Sequence, residues 1–468
     1  MQLSQPTVGP IVGYTSEAES RIWLRGDLKL DNGQPRRCFG AVRYRKPGAK
    51  QWSDPIFNKL EPHFDMTGVF ALKGLARNTP YEYQAGWFFA ESELTDVARM
   101  DGALFQWPDP RVFNSGSQAA NHARSYIVGS CRYVLRLFGG AIFDSRGDKC
   151  FRSILSQIDD AKQPQPVDAL LMIGDQIYAD DKSFLDPASA IDDFLDRYRT
   201  AFSQDSIREL MSRVPTYMIL DDHEIENNWP SNASPSDRIN LYPHAIHAYQ
   251  IYQCSHSPLF ESNAEGRIEG TPTHFWYTFQ DGCVDWFVMD VRTERITTPT
   301  ANRRMIKDEQ MKALLDWLSD GSGRNKFIVT SVPFIPDMKS DRNDKWDGFV
   351  PDRDRILQHI EKNSIRRVAF VSGDVHCSFT CQLQLSPTLK ISQIVSSSFY
   401  WPYPHMEENQ FDFSGFQTAG PGNYQIKRTS PVYSDDNFAR MEASPGTVNI
   451  TYFGRKGDKL GKTITLAL

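Results

Sequence analysis

Hydrophobic and polar positions alternate in short runs along residues 1–105, in a pattern that is typical of β-strands. Residues 20–28 form one such run, and Val42 and Tyr44 share one face of another. Turn residues separate the runs, as at Pro47-Gly48. Short strands at regular spacing, with turns between them, predict a β-sandwich for this first domain.

Tyr81 and Tyr83 resemble the strand entry of fibronectin type III-like domains, which supports a sandwich up to residue 105. The pattern of hydrophobic and polar positions changes after that residue. Residues 106–124 are rich in Pro, Ser, Asn and Gly and predict a linker. Residues 125–468 are predicted to form a second domain that ends in a β-hairpin with a Gly/Asp/Lys turn.

Apolar strands alternate with amphipathic helices from residue 125 onward. The run 169–173 is continuously apolar and of strand length, which predicts a buried parallel strand. The segment 308–320 places Met311, Leu314 and Leu318 on one helical face. Such alternation predicts an α/β fold with crossover connections, a mainly parallel arrangement of two stacked sheets, and helices outside them.

Composition narrows the classes of partner. The chain has 468 residues and a formal net charge of -6, so there is no general attraction to nucleic acid or anionic membranes. No segment reaches the roughly 18 consecutive apolar residues of a membrane span. Seven scattered cysteines and an N-terminus without a signal-peptide pattern favour free thiols and a cytoplasmic location.

Four predicted strand ends carry the residues that could perform chemistry. They are GSC (129–131), GDQIYAD (174–180), LDDHE (220–224) and SGDVHCS (372–378). In an open α/β sheet, ligands bind just outside the carboxyl ends of strands. Each segment alone is common by chance, but the four together supply a Cys, a Tyr, two His and several Asp, which indicates a metal site.

Hydrolysis by two metal ions is the chemistry that needs such a set. A carboxylate that bridges two cations holds them roughly 3.5–4 Å apart, where they clamp the attacking and leaving oxygens. Asp175 is the natural bridge, because its strand lies between the other ligand-bearing strands in sequence. Tyr178 and Cys131 would bind as phenolate and thiolate, which favours Fe(III) at one position.

The remaining candidates complete the two positions. Asp374 and His376 alternate with Val375 and can therefore face one side of an extended backbone. A second, oxygen-rich position formed by Asp175 and Asp222 suits Ca²⁺, with Mg²⁺ as the alternative. His223, beside Asp222, could donate a proton to the leaving oxygen.

Each of these residues also has a purely structural interpretation. Cys131 is equally well read as a small buried hydrophobe, Tyr178 as a packed aromatic, and Asp222 or Asp374 as a helix N-cap. Asp180 and its neighbour at position 181 are interpreted as turn or cap residues.

The motifs resemble those of the PhoD-type alkaline phosphatases, a branch of the calcineurin-like metallophosphoesterases. GSCR, GDQIYAD, DDHEIENNW and SGDVHCS carry the resemblance, and MDVRTER and KWDGFVPDRDRILQHI extend it. The segment VGPIVGYTSEAESRIWLRG resembles the sandwich that precedes the catalytic core. The resemblance implies a metallophosphoesterase-like αββα sandwich core behind the N-terminal fibronectin type III-like β-sandwich.

The resemblance also implies a reaction, hydrolysis of phosphomonoesters or phosphodiesters by a metal-bound hydroxide at an Fe(III)–Ca²⁺ centre. His223 falls at the catalytic histidine of the superfamily. Arg132 and Arg292 are predicted to bind phosphate oxygens, with surface ion pairs as the alternative. The implied metal ligands are Cys131, Asp175, Tyr178, Asp222, Asp374 and His376.

Two alternatives stay open at this point. The expected substrate is a small-molecule phosphate ester, without nucleic acid as a stable partner, but a diesterase acting on lipid or nucleotide diesters fits the same motifs. A metallophosphatase-like fold used as a non-catalytic binding or regulatory module is the other alternative. Residues 227–280 and 396–435, including Trp401 and Tyr403, are predicted to wall the site. The twin-arginine signal of many family members is absent from the sequence, in keeping with the expected location.

Overall fold

A computed structural model describes residues 1–134, 136–137, 142–143, 145–180, 187–417 and 423–468, and it begins with a β-sandwich. The strands of the sandwich are β1 (Val8–Thr15), β2 (Glu19–Arg25), β3 (Cys38–Arg45), β4 (Ile56–Leu60), β5 (Thr67–Lys73), β6 (Pro80–Phe89) and β7 (Arg111–Asn114). One sheet has the order β1-β2-β5 and the other the order β4-β3-β6-β7.

Strand β7 lies inside the segment that was predicted to be a linker. It pairs antiparallel with β6, and Phe113 is buried in the sandwich core while Val112 is exposed. The alternation of apolar and polar residues in this strand is only four residues long and is flanked by Pro and Gly. The Pro and Gly residues indicate turns, and for that reason the sequence pattern predicts a linker here. The sandwich therefore extends to Asn114.

The first core sheet combines parallel and antiparallel pairs. Its strands are β8 (Arg124–Gly129), β9 (Ala169–Ile173), β10 (Thr216–Ile219), β19 (Asn437–Ser444), β20 (Thr447–Gly454) and β21 (Ile464–Ala467), in the order β10-β9-β8-β19-β20-β21. Strands β8, β9 and β10 are parallel, as predicted for the run 169–173. The predicted C-terminal hairpin, β20 with β21, extends this sheet through β19.

The second core sheet is larger. Its strands are β11 (Tyr277–Asp281), β12 (Val284–Val288), β13 (Asn325–Val329), β14 (Val368–Ser372), β15 (Phe379–Ser386), β16 (Leu389–Val395), β17 (Phe416–Gln417) and β18 (Asn423–Arg428). The order is β11-β12-β13-β14-β16-β15-β18-β17, and β12, β13, β14 and β16 are mutually parallel. Short strand pairs elsewhere are Leu30–Asp31 with Gln34–Pro35, Arg136–Leu137 with Ile142–Phe143, Glu261–Ser262 with Ile268–Glu269, and Asp337–Met338 with Phe411–Asp412.

The two core sheets stack with helices outside, which confirms the predicted layered α/β fold. The helices are α1 (Leu94–Val97), α2 (Lys149–Ile158), α3 (Ile191–Phe202), α4 (Asp205–Met211), α5 (Tyr242–Tyr249), α6 (Asp308–Leu318) and α7 (Val350–Lys362). Trp286 of β12 packs into the apolar core shared with the first sheet, whereas its neighbour Phe287 packs with α6 and α7. Alternate residues of one strand thus face two different layers.

The sandwich is fixed to the helical side of the core by buried hydrogen bonds. Trp23 Nε1 donates to Ile251 O at 2.9 Å, and Tyr83 OH donates to Ser212 O at 2.7 Å. Among the described residues, no helix is long and apolar enough to cross a membrane.

Candidate metal centre

The segments that follow β8, β9, β10 and β14 meet in space. Cys131 N donates to Gly174 O at 3.1 Å, which joins the first two segments. Asp374 N donates to the Ser130 hydroxyl at 3.3 Å, which ties the second sheet to the first. The four motifs therefore converge at the carboxyl ends of their strands, where an α/β fold places its ligands.

The backbone is strained at four of the six predicted metal ligands. Cys131, Asp175, Asp374 and His376 have φ values of 55°, 55°, 68° and 48°. Non-glycine residues avoid this left-handed region, at a cost of about 1–3 kcal/mol each, unless the surrounding structure enforces it. Strain of this kind clusters at functional sites, so the backbone supports the choice of residues independently of their chemistry.

The first ligand group surrounds one oxygen of Asp175. Cys131 Sγ and Tyr178 OH each lie 3.3 Å from Asp175 Oδ2, and Tyr178 OH lies 3.3 Å from His376 Nε2. Cys131, Asp175 and His376 offer ligand atoms within 4.8 Å of one another. A thiolate, a phenolate, a carboxylate and an imidazole can therefore surround one cation, and this donor set fits Fe(III).

A second group, rich in oxygen, shares Asp175 with the first. Asp175, Asp222 and His223 offer ligand atoms within 4.8 Å of one another, and so do Asp221, Asp222 and Asp374. Asp221 Oδ2 and Asp222 Oδ1 are buried without a hydrogen-bond partner among the described residues, although Arg292 Nη2 lies 3.5 Å from Asp222 Oδ1. Unsatisfied buried carboxylate oxygens are unfavourable, and a hard divalent cation would satisfy them.

Burial and crowding disfavour the ionised forms of Asp175, Asp374 and Cys131. Burial, reinforced by the nearby carboxylates of Asp222 and Asp221, raises the pKa of Asp175 well above its usual value. Burial also raises the pKa of Asp374 to about 7 and that of the Cys131 thiol well above its usual value. A bound cation reverses this balance, because it stabilises the charged form of each ligand.

His223 is held by a carboxylate that the sequence interpretation had set aside. His223 Nδ1 donates to Asp180 Oδ1 at 2.8 Å, and Asp180 Oδ2 accepts the backbone N–H of Asn227 at 3.1 Å. Asp180 lies in a turn and accepts a backbone N–H, as its interpretation as a turn or cap residue expects, but that interpretation missed the contact with His223. Position 181 lies outside the described residues. A carboxylate in the loop that carries Asp175 was the available signal, since a catalytic histidine needs an orienting partner.

Arg132 does not reach the ligand groups, and its predicted role in phosphate binding is wrong. Its guanidinium is fully buried and donates to Gly147 O at 3.0 Å, Ala201 O at 2.6 Å and Gln204 Oε1 at 3.1 Å. Those acceptors occupy all three nitrogens, so Arg132 fastens the loop after β8 to the helical layer.

Arg292 lies behind the ligands rather than in front of them, which contradicts its predicted role as well. It is fully buried, pairs with Asp221, and donates to both oxygens of Asp344, at 2.5 and 3.0 Å. Its Nη2 is 3.5 Å from Asp222 Oδ1. Burial alone would raise the pKa of Asp222, but Arg292 lowers it below the usual value, so this arginine keeps a predicted ligand ionised.

Two further residues at the site escaped the sequence interpretation. The buried Glu224 accepts backbone N–H bonds from Asp175 at 3.1 Å, Gln176 at 2.7 Å and Asp221 at 2.8 Å, and so ties the loops after β9 and β10 together. Lys345 Nζ lies 2.5 Å from Asp374 Oδ2. Glu224 was visible in LDDHE and Lys345 in KWDGF, but neither motif shows which loop its residue reaches.

A cavity of about 640 Å³ opens onto the ligands. Trp401 forms part of its wall and stacks on the His376 ring, with ring centroids 3.7 Å apart. The other lining residues include Asp175, Asp222, His223, Asn227, Asn228, Asp341, Lys345, Asp374, Tyr403, His405, Glu407 and Gln410. The predicted walls contribute to this set from both segments, and the loop at 341–345 adds a third side.

Comparison with known proteins identifies the family. The sequence model of the PhoD-like phosphatases matches residues 150–413. Alkaline phosphatase D of Bacillus subtilis (strain 168) is 23% identical over 232 residues, which are 45% of this chain and 39% of that protein, so the match spans about two fifths of the relative. A solved structure of PhoD superposes with a TM-score of 0.71 at 15% identity, covering 98% of this chain and 89% of that one, and so shares the fold. The chain belongs to the PhoD-like phosphatase family.

Proposed function

We propose that this protein is a metal-dependent phosphoric ester hydrolase with a dinuclear centre of Fe(III) and a divalent cation, Ca²⁺ or Mg²⁺. The observation that carries the proposal is the position of Asp175, which lies within ligand distance of both groups of candidate ligands. A shared carboxylate is what a two-metal hydrolase requires. Membership of the PhoD-like phosphatases supports the same reaction class.

The two groups of ligands differ in chemistry, which supports a different metal at each position. Cys131, Tyr178 and His376 would hold Fe(III) together with Asp175, while Asp222 and Asp374 would hold the divalent cation. When bound, such a pair of cations supplies Lewis-acid activation of water and neutralises charge on the phosphoryl oxygens.

His223 is the residue that would donate a proton to the leaving oxygen. Its Nδ1–H is committed to Asp180, so the proton available for transfer is the one at Nε2. The imidazole is only 4% exposed and packs against the Tyr178 ring, with centroids 4.4 Å apart. Asp180 and Tyr178 thus fix the orientation from which His223 protonates an alkoxide.

The cavity leaves room for more than a phosphate group. It extends from the ligands to Tyr403, His405 and Gln410, so a second ester substituent can be accommodated as well as a leaving group. We therefore propose small-molecule phosphate esters as substrates and include phosphodiesters among them.

Metal analysis and turnover test the proposal together. The wild-type protein, supplied with Fe(III) and Ca²⁺, is expected to bind both and to hydrolyse an aryl phosphate, whereas Asp175→Asn should lose most of the metal and the activity. Asp281→Asn is the matched control, because Asp281 is a buried carboxylate paired with Arg124 outside both groups. A metal-loaded wild type without turnover would indicate a binding module instead, and full activity in Asp175→Asn would refute the bridging role.

A further inference from the structure

Lys345 is a buried cation that faces both the acidic cluster and the cavity. Its side chain is only 4% exposed, and it lines the cavity above the ligands. Its Nζ lies 2.8 Å from Asp344 Oδ2, 2.5 Å from Asp374 Oδ2 and 4.0 Å from Asp341 Oδ2. The ammonium therefore lies among three carboxylates and faces the cavity.

Asp344 does not depend on Lys345 for its neutralisation. Arg292 donates to both oxygens of Asp344, and Arg295 Nη1 donates to Asp344 Oδ1 at 2.6 Å. Two guanidinium groups therefore already balance this carboxylate. Asp344 therefore does not by itself account for the position of the ammonium, which also faces Asp374 and the cavity.

The contact with Asp374 is a close ion pair, because Lys345 Nζ lies 2.5 Å from Asp374 Oδ2. Asp374 is also one of the oxygen ligands that fit the divalent cation. A cation on this carboxylate would weaken its attraction for the ammonium, because the two positive charges compete for the same oxygen.

An anion in the cavity would then be the natural partner of Lys345. Asp344 can use one of the three N–H donors of the ammonium, which leaves the others for a ligand. Lysine suits such an exchange, since its compact charge sits on a flexible stem and its donors rotate. Within the described lining of the cavity, Lys345 supplies the permanent positive charge that the buried Arg132 and Arg292 do not.

We propose that Lys345 is a phosphate-binding residue, whose ammonium donates to a non-bridging oxygen of the substrate's phosphoryl group. The role rests on the proposed hydrolase function and adds to it a residue that holds both the substrate and the product phosphate. It also accounts for a lysine buried beside Asp344, a carboxylate that Arg292 and Arg295 already neutralise.

Equilibrium binding of inorganic phosphate to the metal-loaded protein, measured by titration calorimetry, tests the proposal. Lys345→Met should weaken phosphate affinity by about tenfold or more, the usual consequence of losing a charged hydrogen-bond donor, and should raise KM for an aryl phosphate. Metal content should stay at the wild-type value. Lys345→Gln, which keeps a polar tip, serves as a second variant if the methionine protein does not fold.

Lys326→Met is the matched control. Lys326 is also 4% exposed and pairs with two carboxylates, Asp285 at 3.1 Å and Asp320 at 2.6 Å, but it does not line the cavity. Its loss should lower stability without changing phosphate affinity. Unchanged phosphate affinity in the Lys345 variants, or a loss of metal that explains the weaker binding, would overturn the role of Lys345. Absence of turnover in metal-loaded wild type would instead overturn the proposed hydrolase function.

Discussion

Asp180→Asn is expected to slow hydrolysis of esters with poor leaving groups far more than hydrolysis of esters with good ones. The substitution removes the negative charge that faces His223 Nδ1 but keeps the side-chain oxygen that accepts the N–H of Asn227. The loop should therefore keep its shape. What changes is the support for the charged imidazole that has to protonate the leaving oxygen.

The geometry sets the size of the effect. The His223–Asp180 contact is 2.8 Å long, and the two side chains are 4% and 18% exposed, so solvent screens it weakly. In Asp180→Asn the amide NH₂, a donor, faces Nδ1–H, so the charged imidazole loses a hydrogen bond to a carboxylate, which contributes about 1.5–3 kcal/mol. That loss corresponds to a fall in kcat of roughly 10- to 150-fold when protonation limits the rate.

The assay compares two substrates on one protein. The leaving group of an alkyl phosphate is a strongly basic alkoxide, so kcat for this substrate should show the full loss. The leaving group of p-nitrophenyl phosphate is a stable anion, so kcat for that substrate should fall by less than about threefold. Metal content is measured in parallel. Asp159→Asn is the control, because it removes a carboxylate that pairs with Arg213 on the surface.

The comparison between the two substrates tests whether His223 and Asp180 act on the leaving group. An equal loss for both esters, with metal retained, would show that His223 and Asp180 do not act on the leaving group. A loss of metal would show that Asp180 supports the centre rather than the proton transfer.

Three further predictions follow from the same geometry. Tyr178→Phe and Cys131→Ser should each change the visible charge-transfer absorption of the Fe(III)-loaded protein, and an unchanged spectrum would remove that residue from the ligand set. Arg292→Met should lower the free energy of unfolding by about 3–5 kcal/mol in denaturant unfolding, because it leaves the carboxylates of Asp221 and Asp344 without their main counter-charge. Arg132→Met should leave phosphate affinity unchanged, because the Arg132 guanidinium is bound by the helical layer. Burial raises the pKa of Asp374 and Glu224 to about 7, so between pH 5 and pH 7 the folded metal-free protein holds protons that the unfolded chain has lost. The thermal midpoint measured in chelator should therefore fall from pH 5 to pH 7, against a smaller opposing contribution from His256, whose pKa burial lowers to about 4. A midpoint that rises over this range would contradict the prediction.

The strand ends were predictable because they depend on local pattern. A continuous apolar run such as Ala169–Ile173 is short for a helix and typical of a buried parallel strand, and the polar residues after it then fall at the edge where ligands bind. Asp175, at the end of that run, was predicted to be the shared carboxylate because its strand lies between the other ligand-bearing strands in sequence. In the structure its Oδ2 lies 3.3 Å from Cys131 Sγ and from Tyr178 OH.

The two arginines show where local pattern stops. Arg132 and Arg292 each follow a strand end, as Asp175 does, but the direction of a side chain depends on which partners surround it. Helical-layer carbonyls surround Arg132, and the carboxylates of Asp221 and Asp344 surround Arg292. Those partners come from segments tens of residues away, so proximity to a ligand in sequence did not imply proximity to the substrate.

The sequence by itself therefore determined the layered α/β core, the N-terminal sandwich, the four strand ends and the types of ligand they carry, because hydrophobic periodicity and short motifs are local properties. Only the tertiary structure decided which polar groups meet: Asp180 with His223, Glu224 with two loops, and Lys345 with Asp374. Asp180 and His223 are 43 positions apart along the chain, and Asp175 and Glu224 are 49 positions apart. Such contacts are set by how strands stack and loops cross, and no periodicity along the chain records them.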